Sequence, residues 1–274
     1  MANPEVEKYV PELMTFINDL AGEYRIGMLN SWPLMTEKVQ AFFTPDMMDK
    51  TDAVIPGWRK MSSYTDGITL VHTVSALTAL MLRPEYRNAT REQRSMMQWI
   101  ILLHDLAKAK VNGIKDHTHG FRSAAMAGKL LSQFGFTVQD AYYDRIDEWY
   151  SLTYSAMTTH HDRGMDVQDN SKLPQIVAGI ETLFGCHTAP ALIVKTILFH
   201  YSFNVLQEWP VQSPLTDHEI GLYIDDNLLP LLRVMVNVDN DAWDFFEPET
   251  KERHRTETVI LIDKVKHIIE GSKL

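Results

Sequence analysis

The chain carries eleven histidines and one cysteine in 274 residues, and several of the histidines stand beside carboxylates and cations in spacings that suit metal chemistry. The densest stretch is Trp99 to Lys108 (WIILLHDLAK), where an apolar run delivers His104, Asp105 and Lys108 into a hydrophobic interior. Burying such groups without a partner is expensive. A divalent cation satisfies imidazole and carboxylate together, since histidine is a common nitrogen ligand and aspartate binds one ion or bridges two. Asp105 and Lys108 are three residues apart and share a helix face, as do His119 and Arg122, so each pair sets a cation beside a candidate ligand where a phosphate can bridge metal and cation. The plainer readings are a helix-terminal ion pair for Lys108 and a structural or solvated guanidinium for Arg122. His72, His160 and His161 complete the central histidines, whereas Cys186, His187, His200, His218, His254 and His267 are assigned structural or solvated roles. With a single cysteine, any metal site is built from histidine and carboxylate.

The elements that position these residues read as helices throughout. The first thirty residues form one amphipathic helix up to Gly22, and 44–63 is loop with a short helix. Thr65-Asp66 caps a helix that carries His72 to Leu82 and stops before Pro84. Thr90 with Gln93 forms a capping box for a helix running to about Lys110, which carries the His104-Asp105 doublet. A helix through Phe134 follows, then one from Tyr142 to His161, with a polar loop to Asn170. The aromatic stretch Tyr142 to Tyr154 is core packing or the wall of a base-binding pocket. Two further helices lead to Leu206, Thr216 with Glu219 forms a second capping box, and an apolar segment interrupted at Pro230 reaches Asp239. The last helix, Thr250 to Glu270, turns Val259, Leu261, Ile262, Val265, Ile268 and Ile269 to the core. No alternating strands, repeats or heptads are evident, so the expected class is all-α.

With 45% apolar and 23% charged residues the composition is that of an ordinary globular protein. The net charge of −10 argues against coating nucleic acid but leaves a small anionic substrate open. No apolar run is long enough to cross a bilayer and the N-terminus lacks a signal-peptide pattern, so a cytoplasmic protein without membrane attachment is expected. Ser272-Lys273-Leu274 matches a peroxisomal address, which has meaning only in a eukaryote.

The ordered set His72, His104-Asp105 and Asp239 resembles the HD-domain metal-dependent phosphohydrolase superfamily, whose name comes from the doublet. The match spans about Thr65 to Trp243, and the apolar run ending in His-Asp-Leu-Ala-Lys is its most specific part. His119-Gly-Phe-Arg also looks like the start of the helix after the doublet in many members. His160-His161 is similar to the added histidines of two-metal members such as the HD-GYP phosphodiesterases, although no Gly-Tyr-Pro follows here. The resemblance implies that His72, His104, Asp105 and Asp239 hold one ion, with Asp105 bridging to a second held by His119 and by His160 or His161. His117 is the alternative to His119, and Asp241 to Asp239. It further implies one or two divalent ions (Mn, Fe, Mg, Ni, Co or Zn) and a nucleotide or other small phosphate ester as substrate, with Asp105 and Lys108 catalytic and Lys108 and Arg122 contacting substrate. Residues 64–247 would form the HD core, with 1–63 as a helical cap and 248–274 as a helix packed on it; capping the substrate and forming a homodimer account equally for these extensions. The same ligand pattern is similar to myo-inositol oxygenase, which makes a di-iron oxygenase the second reading. A nucleotide-binding sensor without turnover is the third.

Overall fold

A computed structural model describes residues 3–109, 116–160, 165–206 and 213–272. The architecture is all-α, as the periodicity predicts. Four helices open the chain: α1 (Pro11–Arg25), α2 (Trp32–Phe42), α3 (Pro45–Val54) and α4 (Trp58–Ser62). The next five are α5 (Ile68–Leu82), α6 (Pro84–Arg87), α7 (Arg91–Leu103), α8 (His119–Leu131) and α9 (Ala141–Tyr154). A hairpin of β1 (Met157–His160) and β2 (Met165–Gln168) leads to α10 (Leu173–Phe184), α11 (Ala189–Phe199), α12 (Asp217–Tyr223), α13 (Leu229–Trp243) and α14 (Pro248–Ser272).

α5 is the axis of the bundle. Its residues are buried almost all round, with Val74, Leu77 and Leu80 fully enclosed, as expected of a helix that is apolar on every side. Each such side chain contributes about 1.5–3 kcal/mol by leaving water. α1, α2 and α4 pack on one side of α5, α7 and α13 on another; α11 bridges α7, α8 and α13, and α14 covers α12 and α13. The buried apolar residues form one continuous cluster from Val6 to Ile269.

Several predicted boundaries move, each for a local reason. The first segment is a short 3-10 turn (Val6–Lys8) followed by α1, with Pro11 in its first turn, and the stretch expected to be loop with one short helix holds two, α3 and α4. Thr44 starts α3 by accepting a hydrogen bond from the Met47 amide. Thr65 does not cap α5: residues Tyr64–Gly67 form a 3-10 turn, and the chain enters α5 through Gly67 at φ 90°, a left-handed conformation glycine adopts without strain. Both capping boxes are present, at Thr90/Gln93 and Thr216/Glu219.

Two corrections bear on the site. α7 stops at Leu103, so His104 is its C-cap and Asp105 to Lys108 lie in tight turns, with Leu106 N–H on the Leu103 carbonyl at 3.2 Å and Lys108 N–H on that of Asp105 at 2.8 Å. The terminal carbonyls are satisfied by these shorter i→i+3 bonds, which frees His104 and Asp105 from helical spacing. α9 also ends early, at Tyr154, and the chain then pairs as antiparallel strands with Thr158 opposite Val167 and Thr159 opposite Asp166. The β-branched Thr158, Thr159 and Val167 suit the extended form. Tyr142 and Trp149, in the aromatic stretch, are core: the Tyr142 hydroxyl donates to the Gly128 carbonyl at 3.1 Å and the Trp149 indole to that of Ile176 at 2.9 Å. On α14, Val259 is 50% exposed, so it leaves the predicted apolar face.

Candidate metal centre

Five regions of the chain meet at the site. α5 brings His72; the end of α7 and the following turn bring His104, Asp105 and Lys108; the first turn of α8 brings His119; the C-cap of α11 brings His200; and α13 brings Asp239. His72, His104, Asp105, His119 and His200 are each at most 7% exposed, whereas the Asp239 side chain keeps 33% of its surface. Trp243, one turn beyond Asp239, is 46% exposed and stacks on the His72 ring at 4.2 Å. Asp239 and Trp243 therefore mark the side on which the site reaches the surface.

The ligand atoms fall into two groups, His72, His104 and Asp239 in one and Asp105, His119 and His200 in the other, with atoms in each within 4.8 Å of one another. Asp105 joins them. Its Oδ2 faces the first group, 3.5 Å from His104 Nε2 and 3.7 Å from His72 Nε2, and its Oδ1 faces the second, 3.3 Å from His119 Nε2. Asp239 Oδ1 lies 2.9 Å from His72 Nε2 and 3.6 Å from His104 Nε2. Donors each about 2.0–2.2 Å from one ion stand roughly 3–4 Å apart, which is the spacing found here.

Three of the four imidazoles are oriented for such a role. His104, His119 and His200 each use Nδ1 on a carbonyl three residues back, those of Ile101 (2.7 Å), Asp116 (2.9 Å) and Ile197 (2.6 Å). A carbonyl only accepts, so Nδ1 carries the proton and Nε2 presents a lone pair, the arrangement usual for metal-bound histidine. His104 Nε2 is buried and has no hydrogen-bond partner. An orphaned acceptor facing two carboxylates is the observation that best fits a cation there.

Electrostatics follow from enclosure and neighbours. Burial alone would raise the Asp105 pKa, but the Lys108 ammonium and the three imidazoles of His104, His119 and His72 outweigh it and hold the carboxyl far below the usual range. Partial enclosure acts the same way on Asp239, and His104 and His72 again reverse it. Burial pushes His200 down to about 3, with His119 and His104 adding to the effect. Burial also lowers His72 and His119 despite the carboxylates beside them, whereas at His104 the Asp105 and Asp239 charges overcome burial and raise it.

His72, His104, Asp105, His119 and Asp239 thus converge as the sequence reading anticipates. Of the alternatives, His119 rather than His117 joins the second group: His117 Nδ1 pairs with the Tyr201 hydroxyl at 2.7 Å. Asp239 likewise displaces Asp241, which pairs with Arg83 at 2.8 Å and Arg255 at 3.2 Å. Lys108 Nζ bonds Asp105 Oδ2 at 2.9 Å and lies 5.8 Å from the Trp243 ring centre. Arg122 is paired with Asp116, whose carboxylate also accepts from the Thr118 and Ala109 amides and whose carbonyl holds His119. That pairing braces the turn that presents His119. The backbone of His160 is on β1, while its side chain and the whole of His161 lie outside the described residues.

The residue missed by sequence reasoning is His200, assigned there a structural or solvated role. A signal was present. Ile101-Leu-Leu-His104 and Ile197-Leu-Phe-His200 both end an apolar helix with a histidine whose Nδ1 returns to the isoleucine carbonyl three residues earlier. Comparisons with protein-family models, curated proteins and solved structures give no match for this chain.

Proposed function

We propose that the chain is an HD-type metal-dependent phosphohydrolase, acting in the cytoplasm on a nucleotide or other small phosphate ester, with residues 64–247 as its catalytic core. The observation that carries the reading is Asp105, whose two oxygens face separate groups of histidine and carboxylate donors while the Lys108 ammonium lies 2.9 Å from Oδ2. His72, His104 and Asp239 would hold one divalent ion and His119 and His200 the other, with Asp105 shared. Bound there, the ions would acidify water and neutralise charge on phosphoryl oxygens. The chain's own part is to hold His104, His119 and His200 in place through their Nδ1 to carbonyl bonds, to keep Asp105 ionised, and to offer the Lys108 ammonium to a phosphoryl oxygen. Trp243 supplies an aromatic wall at the open side. No helix among the described residues is long and apolar enough to cross a membrane.

The donor types favour one other reading. Each group is two imidazoles and one carboxylate, a set that also suits ferrous iron and dioxygen activation. Metal analysis of anaerobically purified protein, followed by a manganese-supplemented panel of phosphomonoesters, phosphodiesters and nucleotides, separates the two. Release of phosphate or a nucleoside product that is lost in Asp105→Ala supports hydrolysis. Bound iron with oxygen-dependent turnover of an unphosphorylated substrate would overturn it.

A further inference from the structure

Gln168, the last residue of β2, is 2% exposed, and neither its side-chain oxygen nor its nitrogen has a hydrogen-bond partner. A buried amide left wholly unpaired is unfavourable, and such a group in a folded protein calls for an explanation. Strand pairing does not supply one, because the residue is anchored through its backbone: it pairs with Met157, and its carbonyl accepts from the Ser213 hydroxyl at 2.7 Å.

The amide lies against Gly120. A Cβ there would stand 2.6 Å from Gln168 Nε2 and 3.5 Å from His200 Cε1. Gly120 follows His119 directly, so the unpaired amide sits where the first turn of α8 and the end of α11 bring together the two histidines of the second ligand group. Gly120 is not among the residues with positive φ, so what its missing side chain provides is room for the amide.

We propose that Gln168 is a substrate-binding residue of this group, its Nε2–H donating to an oxygen of a phosphoryl group bound there and its Oε1 accepting from a hydroxyl or water of the same ligand. The inference rests on the phosphate-ester reading above. A neutral amide suits this place because it adds a directed donor without adding further positive charge to a site that would already hold two metal ions and the Lys108 ammonium.

The test uses the full chain loaded with Mn2+ and titrated calorimetrically with inorganic phosphate, in wild type, Gln168→Met and Gln168→Glu, with metal content and melting temperature measured for each. Methionine keeps the shape and removes the amide; glutamate keeps the shape and sets a negative charge against the anion. The expected result is metal content equal to wild type in all three, an equal or higher melting temperature for Gln168→Met, and phosphate affinity weakened about tenfold in Gln168→Met and further in Gln168→Glu. Greater stability with weaker binding is the mark of a group kept for its ligand. Unchanged affinity in a metal-loaded variant overturns the proposal, and metal loss in Gln168→Met does so too, by making the amide a support for His200. Should Gln168→Met fail to fold, Gln168→Glu decides by the same readings. If loaded wild type binds no phosphate, the phosphate-ester reading itself fails and this inference with it, an outcome visible without any variant.

Discussion

His104, His119 and His200 each spend one ring nitrogen on a backbone carbonyl and turn the other inward, so their roles separate by partner rather than by residue type. Asp105 is the shared member. Replacing it by Ala should remove binding of both ions, whereas His200→Ala should weaken only the second; equal losses in the two variants, measured by equilibrium dialysis, would contradict the two-group arrangement. Enclosure also predicts a pH response of the metal-free protein. His200 is pushed down to about 3, and His72 and His119 lie below their ordinary value. As pH falls, the unfolded chain binds these protons first, near its pKa of about 6.5, so the stability is fully present above that pH and is lost toward acid. His104 is raised and opposes this with a single group. The urea midpoint of apo-protein should therefore drop between about pH 6.5 and pH 5, and less so in His200→Leu. A midpoint flat across that range would show that these imidazoles are not held neutral.

Helices set the precision of the site through close packing. Trp149 of α9 lies against Gly128 of α8 and Gly179 of α10, where a Cβ at 128 would stand 2.5 Å from the indole and one at 179 would overlap it. The indole is fixed by its hydrogen bond to the Ile176 carbonyl, so it cannot yield easily. Gly179→Val should lose about 3 kcal/mol, the upper end of overpacking penalties, read from a denaturant midpoint at unchanged m. Helical period and the two capping boxes make α7, α12 and the class legible in the sequence, and the apolar run ending in His104-Asp105 marks two of the six ligand residues. The end of α7 was less legible, because tight turns after Leu103 depend on the tertiary pull of the site and leave the hydrophobic pattern unchanged. The hairpin was hidden for a similar reason: two four-residue strands carry too little alternation to stand out. His200 escaped because a single histidine after an apolar run is indistinguishable from a core residue until the partner helices are placed.

At the scale of the molecule, the first ligand group joins α5 to α13, and the second joins α8 to α11, through the turn after α7. Ions that bind only this assembled form stabilise it by mass action, by about 2.7 kcal/mol at a concentration one hundred times the dissociation constant. Added Mn2+ should raise the melting temperature and a chelator should lower it, and Asp105→Ala should be insensitive to both. The His72 to Asp239 contact has a further consequence, since it closes a loop of 167 residues. A bound ion there would act as a removable clasp, so that opening α5 from α13 requires it to be released first. Amide hydrogens in these helices, far apart along the chain, would then exchange together and more slowly in loaded protein, and regain their separate rates once the clasp is withdrawn.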